Sequence, residues 1–239
     1  MNTDELSEQN KYFHEYKTRS TNQEISRNYA KAMYDLFSTD LNLLTQNQFH
    51  FQNVNTLHNI HTNESKLPSP IIDLLDFKDK VILDFGCGRG EFCHDIHRKF
   101  MAHKTYGCDL ATVDLGLTDQ YESENCRFFT CGATSIPLAN NSVDIITSFL
   151  VLEHVHEHNI DQMFKEFDRI CRKGFIFSIS HQSATQQNLR RCSKNLQWWQ
   201  NKLIDFCDPI FMYYPSIDNY KWGTGMSTGL TRLICNKRI

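Results

Sequence analysis

The stretch Val81-Ile82-Leu83-Asp84-Phe85-Gly86-Cys87-Gly88-Arg89-Gly90 reads as a short buried strand that ends in an acid and runs into glycines at alternate positions. Glycine reaches turn conformations closed to other residues and leaves no side chain between backbone and ligand. A helix starting near Gly90 would turn its unpaired amides toward whatever sits on the loop. Spacing then separates the ligand classes. A dinucleotide fingerprint needs a third glycine where Glu91 stands, and its pyrophosphate would lie against Asp84 and Glu91. A mononucleotide P-loop needs a Gly-Lys-Ser/Thr that does not follow.

Working outward, strands and helices alternate. Strand 81–85 leads to a helix over about 90–101, a strand over 104–108, a helix near 112–121, and strands near 127–131 and 143–149. Ile160, Met163, Phe164, Phe167 and Ile170 form one helical stripe, and Gly174 precedes a fifth strand, Phe175 to Ser180. The alternation predicts a parallel sheet covered on both faces, with ligands at the carboxyl ends of its strands. Beyond Ala184 the pattern predicts a helix around Trp198-Trp199 and strands near 209–214 and 230–236. An acid ahead of the glycines suits a ligand with a cationic end and a carboxylate for backbone amides. The aminocarboxypropyl tail of S-adenosylmethionine has both.

Asp84-Phe85-Gly86-Cys87-Gly88-Arg89-Gly90 resembles the first motif of the class I S-adenosylmethionine-dependent methyltransferases, and more of the chain agrees in order. Lys104 to Ala111 resembles the second strand, Phe128 to Ala133 the third strand and adenine loop, Ser142 to Ser148 the fourth strand, and Leu152 to Val155 the segment after it. The resemblance spans roughly 79–180. It implies a Rossmann-like seven-stranded, mostly parallel α/β sheet with helices on both faces and one antiparallel strand. It implies S-adenosylmethionine as cofactor, with Asp84, Phe85, Gly86, Cys87 and Gly88 around the methionine moiety. Asp109 and Leu110 would meet the ribose, Gly132 and Ala133 the adenine, and Leu150 would also line the site. One departure stands out: the family often has an acid at the position of Gly132, which accepts from the adenine amino group. Here the backbone around Gly132, with Phe85 or Ile136 packing on the ring, would have to serve instead.

The 239 residues form one domain of about 71–239 behind a helical N-terminal extension, 1–70, placed to act as a lid or to pack on the sheet edge. Ile25, Tyr29, Met33, Leu36 and Phe37 form a helical stripe in it, and 38–66 reads as short helices and loops. A formal charge of -3 disfavours a large nucleic-acid surface. No apolar run reaches spanning length and the start is polar, so a cytoplasmic protein is expected. Nine cysteines without a Cys-x-x-Cys pair read as buried thiols rather than disulfides or a zinc site.

Methyl transfer from a sulfonium chiefly needs alignment and dryness, with a base when the acceptor is a hydroxyl. His154 and His181, each just past a strand end, are the candidate bases; either can instead order its loop. His154 and His158 would share a face if their segment were one helix, but no further metal ligand is identifiable by spacing, and no metal is expected. Trp198-Trp199 and the late aromatics can stack on an acceptor or fill the core. Arg190-Arg191-Cys192-Ser193-Lys194 can meet a phosphate or remain a solvated run. The reading is a methyltransferase for a small-molecule acceptor, a sugar or nucleotide-sugar hydroxyl, because the stretch through Trp198-Trp199 loosely resembles sugar-modifying members of the family. Its rivals are a nucleic-acid or protein methyltransferase and a non-catalytic S-adenosylmethionine-binding module.

Overall fold

A computed structural model describes residues 1–19, 51–53, 73–74, 76–180, 191–213 and 230–238. Its strands are β1 (Phe51–Asn53), β2 (Val81–Phe85), β3 (Lys104–Asp109), β4 (Cys126–Thr130), β5 (Val143–Phe149), β6 (Cys171–Ser180), β7 (Cys207–Tyr213) and β8 (Leu230–Lys237). The helices are α1 (Thr3–Arg19), α2 (Glu91–Arg98), α3 (Ile160–Ile170) and α4 (Leu196–Leu203). Among the described residues no helix is long and apolar enough to cross a membrane.

The strands form one sheet in the order β1-β7-β8-β6-β5-β2-β3-β4. Pairs β2–β3, β2–β5, β3–β4 and β5–β6 are parallel, whereas β8 runs antiparallel to both β6 and β7. Among the described residues the sheet has eight strands, where seven were expected. The eighth is β1, which pairs antiparallel with β7 through Phe51↔Tyr213 and Asn53↔Phe211, inside a region read from sequence as short helices and loops. Three residues of strand carry too little periodicity to register in a polar stretch. The expected helix at 112–121 is also absent: turns lead to a single 3-10 turn, Asp119–Tyr121, because Asp109, Thr112 and Gly116 engage the backbone locally.

The side-chain period of two divides the core between the faces of the sheet. On β6, Phe175 and Phe177 stack 5.6 Å apart on one face, against Phe167 and Phe164 of α3. Ile176 faces the other way and joins Ile82, Ile145, Phe92 and Ile96 under α2. Both faces are therefore dry, and strand ends alone are left for a ligand. The nine cysteines are all buried free thiols.

α1 lies within the helical extension expected over 1–70, although no helix was assigned to Thr3–Arg19 itself. It leans on the loops that follow β3, β4 and β5 through Gln9–Asp114, Glu5–Thr134 and Asn2–Asn159. The stripe at 25–37 lies outside the described residues.

Candidate active site

The loop after β2 is shaped by three left-handed glycines, Gly86 (φ 80°), Gly88 (φ 54°) and Gly90 (φ 87°). The first two serve different ends. A Cβ on Gly86 would lie 2.2 Å from the Val151 side chain, so this glycine permits close packing. A Cβ on Gly88 would meet nothing within 4 Å, so this glycine opens bare backbone to a space. The expected place for a cofactor's methionine end falls on that cradle of open backbone.

Asp84 closes the base of the cradle. It is 3% exposed, and Thr147 Oγ1 donates to its Oδ1 at 2.9 Å. Burial raises its carboxyl to about 7; the Thr147 hydrogen bond opposes the rise and the nearby Asp109 adds to it. A buried acid with one hydrogen bond and, among the described residues, no cation paired with it is suited to a ligand ammonium. Asp109, partly exposed at the end of β3, receives the amides of Gly88 (3.1 Å), Ala111 (2.9 Å) and Thr112 (3.1 Å). Burial pushes its carboxyl up, and those amides offset part of the rise. A carboxylate has about four acceptor positions, so three amides leave capacity for a ribose hydroxyl. Thr112 Oγ1 also donates to the Gly88 carbonyl, tying the two loops together. The residues present therefore fit S-adenosylmethionine at both its charged tail and its sugar.

Leu150 follows β5 with a left-handed backbone (φ 58°), its amide donating to Ser178 O at 2.8 Å. Such a conformation costs a leucine about 1–2 kcal/mol and is typical of residues held at a site. Leu110 lies partly exposed beside Asp109. Ala133 is 5% exposed, next to Gly132. The loop they begin is clamped from behind. Arg169 makes paired bonds to Glu166 (2.8 and 2.7 Å) and donates to Ile136 O and Leu138 O, while Ile136 N donates to Glu166.

Two expectations for the ring-packing side chains change. Phe85 sits edge-on to Phe167 at 5.0 Å in the main core, so it offers a ligand backbone only. Ile136 is 2% exposed in the same core. The Cys87 side chain likewise packs with Cys93, Cys126 and Phe128. In each case the side chain alternates inward while the loop backbone remains at the strand ends.

His154 is partly exposed in the 3-10 turn Leu152–His154, directly after Leu150 and Val151. His181 lies outside the described residues. The His154–His158 helical face does not form: Val155 (ψ 138°) and His156 (ψ 137°) are extended and split the segment into two 3-10 turns. His158 instead bonds Asp4 at 2.7 Å. Among the described residues no group of three or more metal-ligating side chains converges. Trp199 is fully buried, whereas Trp198 is partly exposed between Lys194 and Lys202. In the basic run, Arg191 grips Glu8 with both arms (3.1 and 3.2 Å) and Lys194 pairs with Glu157 at 2.8 Å.

Sequence reasoning missed Thr112, Thr147 and Glu5. Buried polar residues inside the apolar β5 were a readable signal for Thr147; nothing near the N-terminus marked Glu5.

Residues 82–174 match the model of a family described as a methyltransferase domain. Solved structures with the same fold include an S-adenosylmethionine-dependent methyltransferase from Mesorhizobium loti. It is 16% identical, with 68% of this chain and 93% of that one covered, at TM-score 0.52. A candidate of the same class from Listeria monocytogenes is 15% identical over 71% and 96% of the two chains, at TM-score 0.53. Magnesium protoporphyrin IX methyltransferase from Synechocystis, solved with S-adenosylhomocysteine, is 15% identical over 72% and 81%, at TM-score 0.50. No curated protein matches the sequence.

Proposed function

We propose that this chain, a class I S-adenosylmethionine-dependent methyltransferase, methylates a small molecule, with a sugar or nucleotide-sugar hydroxyl as the favoured acceptor. The observation that carries the size argument is α1. It sits across the loops after β3, β4 and β5, held by Gln9, Glu5 and Asn2 from one side and by the Glu8–Arg191 pair from another. A helix over the strand ends leaves a covered site, which suits a metabolite better than a polymer. A formal net charge of -3 also opposes a polyanion. We assign the extension the role of a lid on the same grounds.

The bound cofactor supplies a methyl group on a sulfonium, already a good leaving centre. The chain's own work is placement. Asp84 would receive the ammonium, the glycine loop around Gly88 would lie against the methionine tail, and Asp109 would accept from a ribose hydroxyl. The strained Leu150 and the neighbouring Val151, which packs on Gly86, would line the reacting end and help to exclude water. We assign His154, in the turn after β5, the role of taking the proton from an acceptor hydroxyl, with His181 as the second candidate. The Lys194 and Lys202 ammonium groups lie over the Trp198 ring, 5.5 and 5.3 Å from its centroid, so a sugar would have to displace one of them to stack there. Nine buried free thiols favour a reducing compartment, and hence the cytoplasm.

A labelled-methyl assay tests the acceptor class. Label from S-adenosylmethionine should enter a nucleotide-sugar or sugar pool and leave tRNA and peptides unlabelled. Label in tRNA or peptide alone would contradict the small-molecule reading.

A further inference from the structure

Gly132 begins the loop after β4 with no side chain, and the space its Cβ would need is already taken. A Cβ built there would lie 2.3–2.6 Å from the carboxylate atoms of Glu5. That carboxylate comes from α1 and is 5% exposed. Its Oε1 receives Thr134 N at 2.9 Å, and its Oε2 receives Asn2 N at 2.8 Å. The Thr134 hydroxyl lies 3.1 and 3.0 Å from the two oxygens.

We propose that Glu5 completes the adenine end of the cofactor pocket, its carboxylate accepting a hydrogen bond from the exocyclic amino group of the base. The inference rests on the cofactor reading above. Sheet order supplies the position. The ends of β2, β3 and β4 are neighbours, each about 4.8 Å from the next. A ligand with its charged tail on the Gly88 loop and its ribose on Asp109 therefore delivers its base to the loop after β4. Chemistry supplies the partner. An exocyclic amine needs an acceptor, and the side chains of Cys131, Gly132 and Ala133 provide no carboxylate or amide oxygen. The hydroxyl of Thr134 is turned to Glu5.

The carboxylate also has capacity. A hydroxyl has one hydrogen, so Thr134 Oγ1 serves one oxygen at a time. With the amides of Thr134 and Asn2 that makes three donors against about four acceptor positions. Position 132 is then a glycine because the acid arrives from another segment and a second side chain would displace it. The helix is anchored on both sides of this contact. Gln9 Nε2 donates to Asp114 at 3.0 Å, Asn2 donates to Asn159 at 3.1 Å, and Glu8 is held by Arg191.

The test is calorimetric titration with S-adenosylhomocysteine and with S-inosylhomocysteine, in which a carbonyl replaces the amino group. Wild type, Glu5→Ala and Glu5→Ala/Gly132→Asp are compared, each checked for folding by circular dichroism. Wild type should prefer the adenine ligand by about 10- to 100-fold, the range expected for a hydrogen bond to a charged group. Glu5→Ala should bind it about 10-fold or more weakly and lose most of the preference for adenine over hypoxanthine. The double variant should regain much of both, because its acid enters the space Glu5 leaves. Unchanged affinity and preference in Glu5→Ala would overturn the assignment. So would tighter binding, which would mark α1 as an obstruction. A folded wild type that binds neither nucleoside would instead overturn the cofactor reading beneath it.

Discussion

The two ends of the cofactor groove are built in opposite ways. At the methionine and ribose end, the groups come from two adjacent parallel strands and their loops: Asp84 in β2 and Gly88 after it, Asp109 at the end of β3 and Thr112 after it, with Thr147 one strand away. At the far end, the loop after β4 is nearly bare, and its carboxylate comes from α1, 129 residues from Thr134 in the chain. A site assembled from neighbouring strand ends is fixed by the sheet itself. One completed by a remote helix exists only while that helix is docked. The first half should tolerate no change in the loop, and the second should respond to anything that frees α1.

The largest effects are expected in the loop. Gly86→Ala combines left-handed strain of about 1–2 kcal/mol with a Cβ pressed on Val151, for a total of about 3–5 kcal/mol in thermal or urea unfolding. Gly88→Ala carries only the strain and should fold, yet weaken S-adenosylhomocysteine about 10-fold or more by entering the open space. Equal loss of stability in both variants would erase the distinction between packing and ligand glycines.

Asp84 gives a pH dependence. Its folded carboxyl is raised to about 7 from an ordinary 3.8. Between those values the folded chain holds a proton that the unfolded chain has released. Stability of the free protein should therefore fall as pH rises from about 4 to 7 and then level off. Binding of a cationic ligand should strengthen over the upper part of that range and release a proton, seen as a buffer-dependent calorimetric enthalpy. Asp84→Asn should abolish the proton release, raise free-protein stability at pH 8 and weaken binding. A buffer-independent enthalpy in the wild type between about pH 5 and 7 would remove Asp84 from the ammonium site.

Smaller effects are expected at α1. Arg191→Ala removes the paired grip on Glu8, leaving Lys11 at 2.8 Å and His156 at 3.6 Å. Tryptic cleavage within residues 1–19 should accelerate, and cofactor affinity should fall about 3- to 5-fold, near 1 kcal/mol. The burial of Glu8 would raise its carboxyl, but Lys11 and Arg191 together hold it below the ordinary range. This latch is therefore present above the ordinary carboxylate range and lost as pH falls through the lowered value. Asp4→Asn, at an exposed pair with His158, should change affinity and stability by no more than about 0.5 kcal/mol. A larger response at Asp4 than at Arg191 would misplace the anchor.

The same contrast explains what was legible. The β2 loop could be read because strand, acid and glycines lie within ten consecutive residues, and hydrophobic alternation located β3 to β6 to within a few positions. Phe85 and Ile136 were read as ring-packing because a pattern shows that a residue is apolar, not which side of a strand end it faces. The His154–His158 pair failed because two extended residues interrupt what spacing alone presents as a helix. β1 and Glu5 were invisible for a different reason. Both act through partners far along the chain, and a polar stretch gives no periodicity that would announce such a contact. Gly132 was the one visible trace, an absence in the loop whose cause lay elsewhere.

The central claim is that S-adenosylmethionine lies along the ends of β2 and β3, and Asp109 tests it most directly. Calorimetric titration of S-adenosylhomocysteine into wild type and Asp109→Ala should give saturable micromolar binding at one site in the first, lost or weakened about 100-fold in the second. Equal binding by both, or none by a folded wild type, would contradict the account.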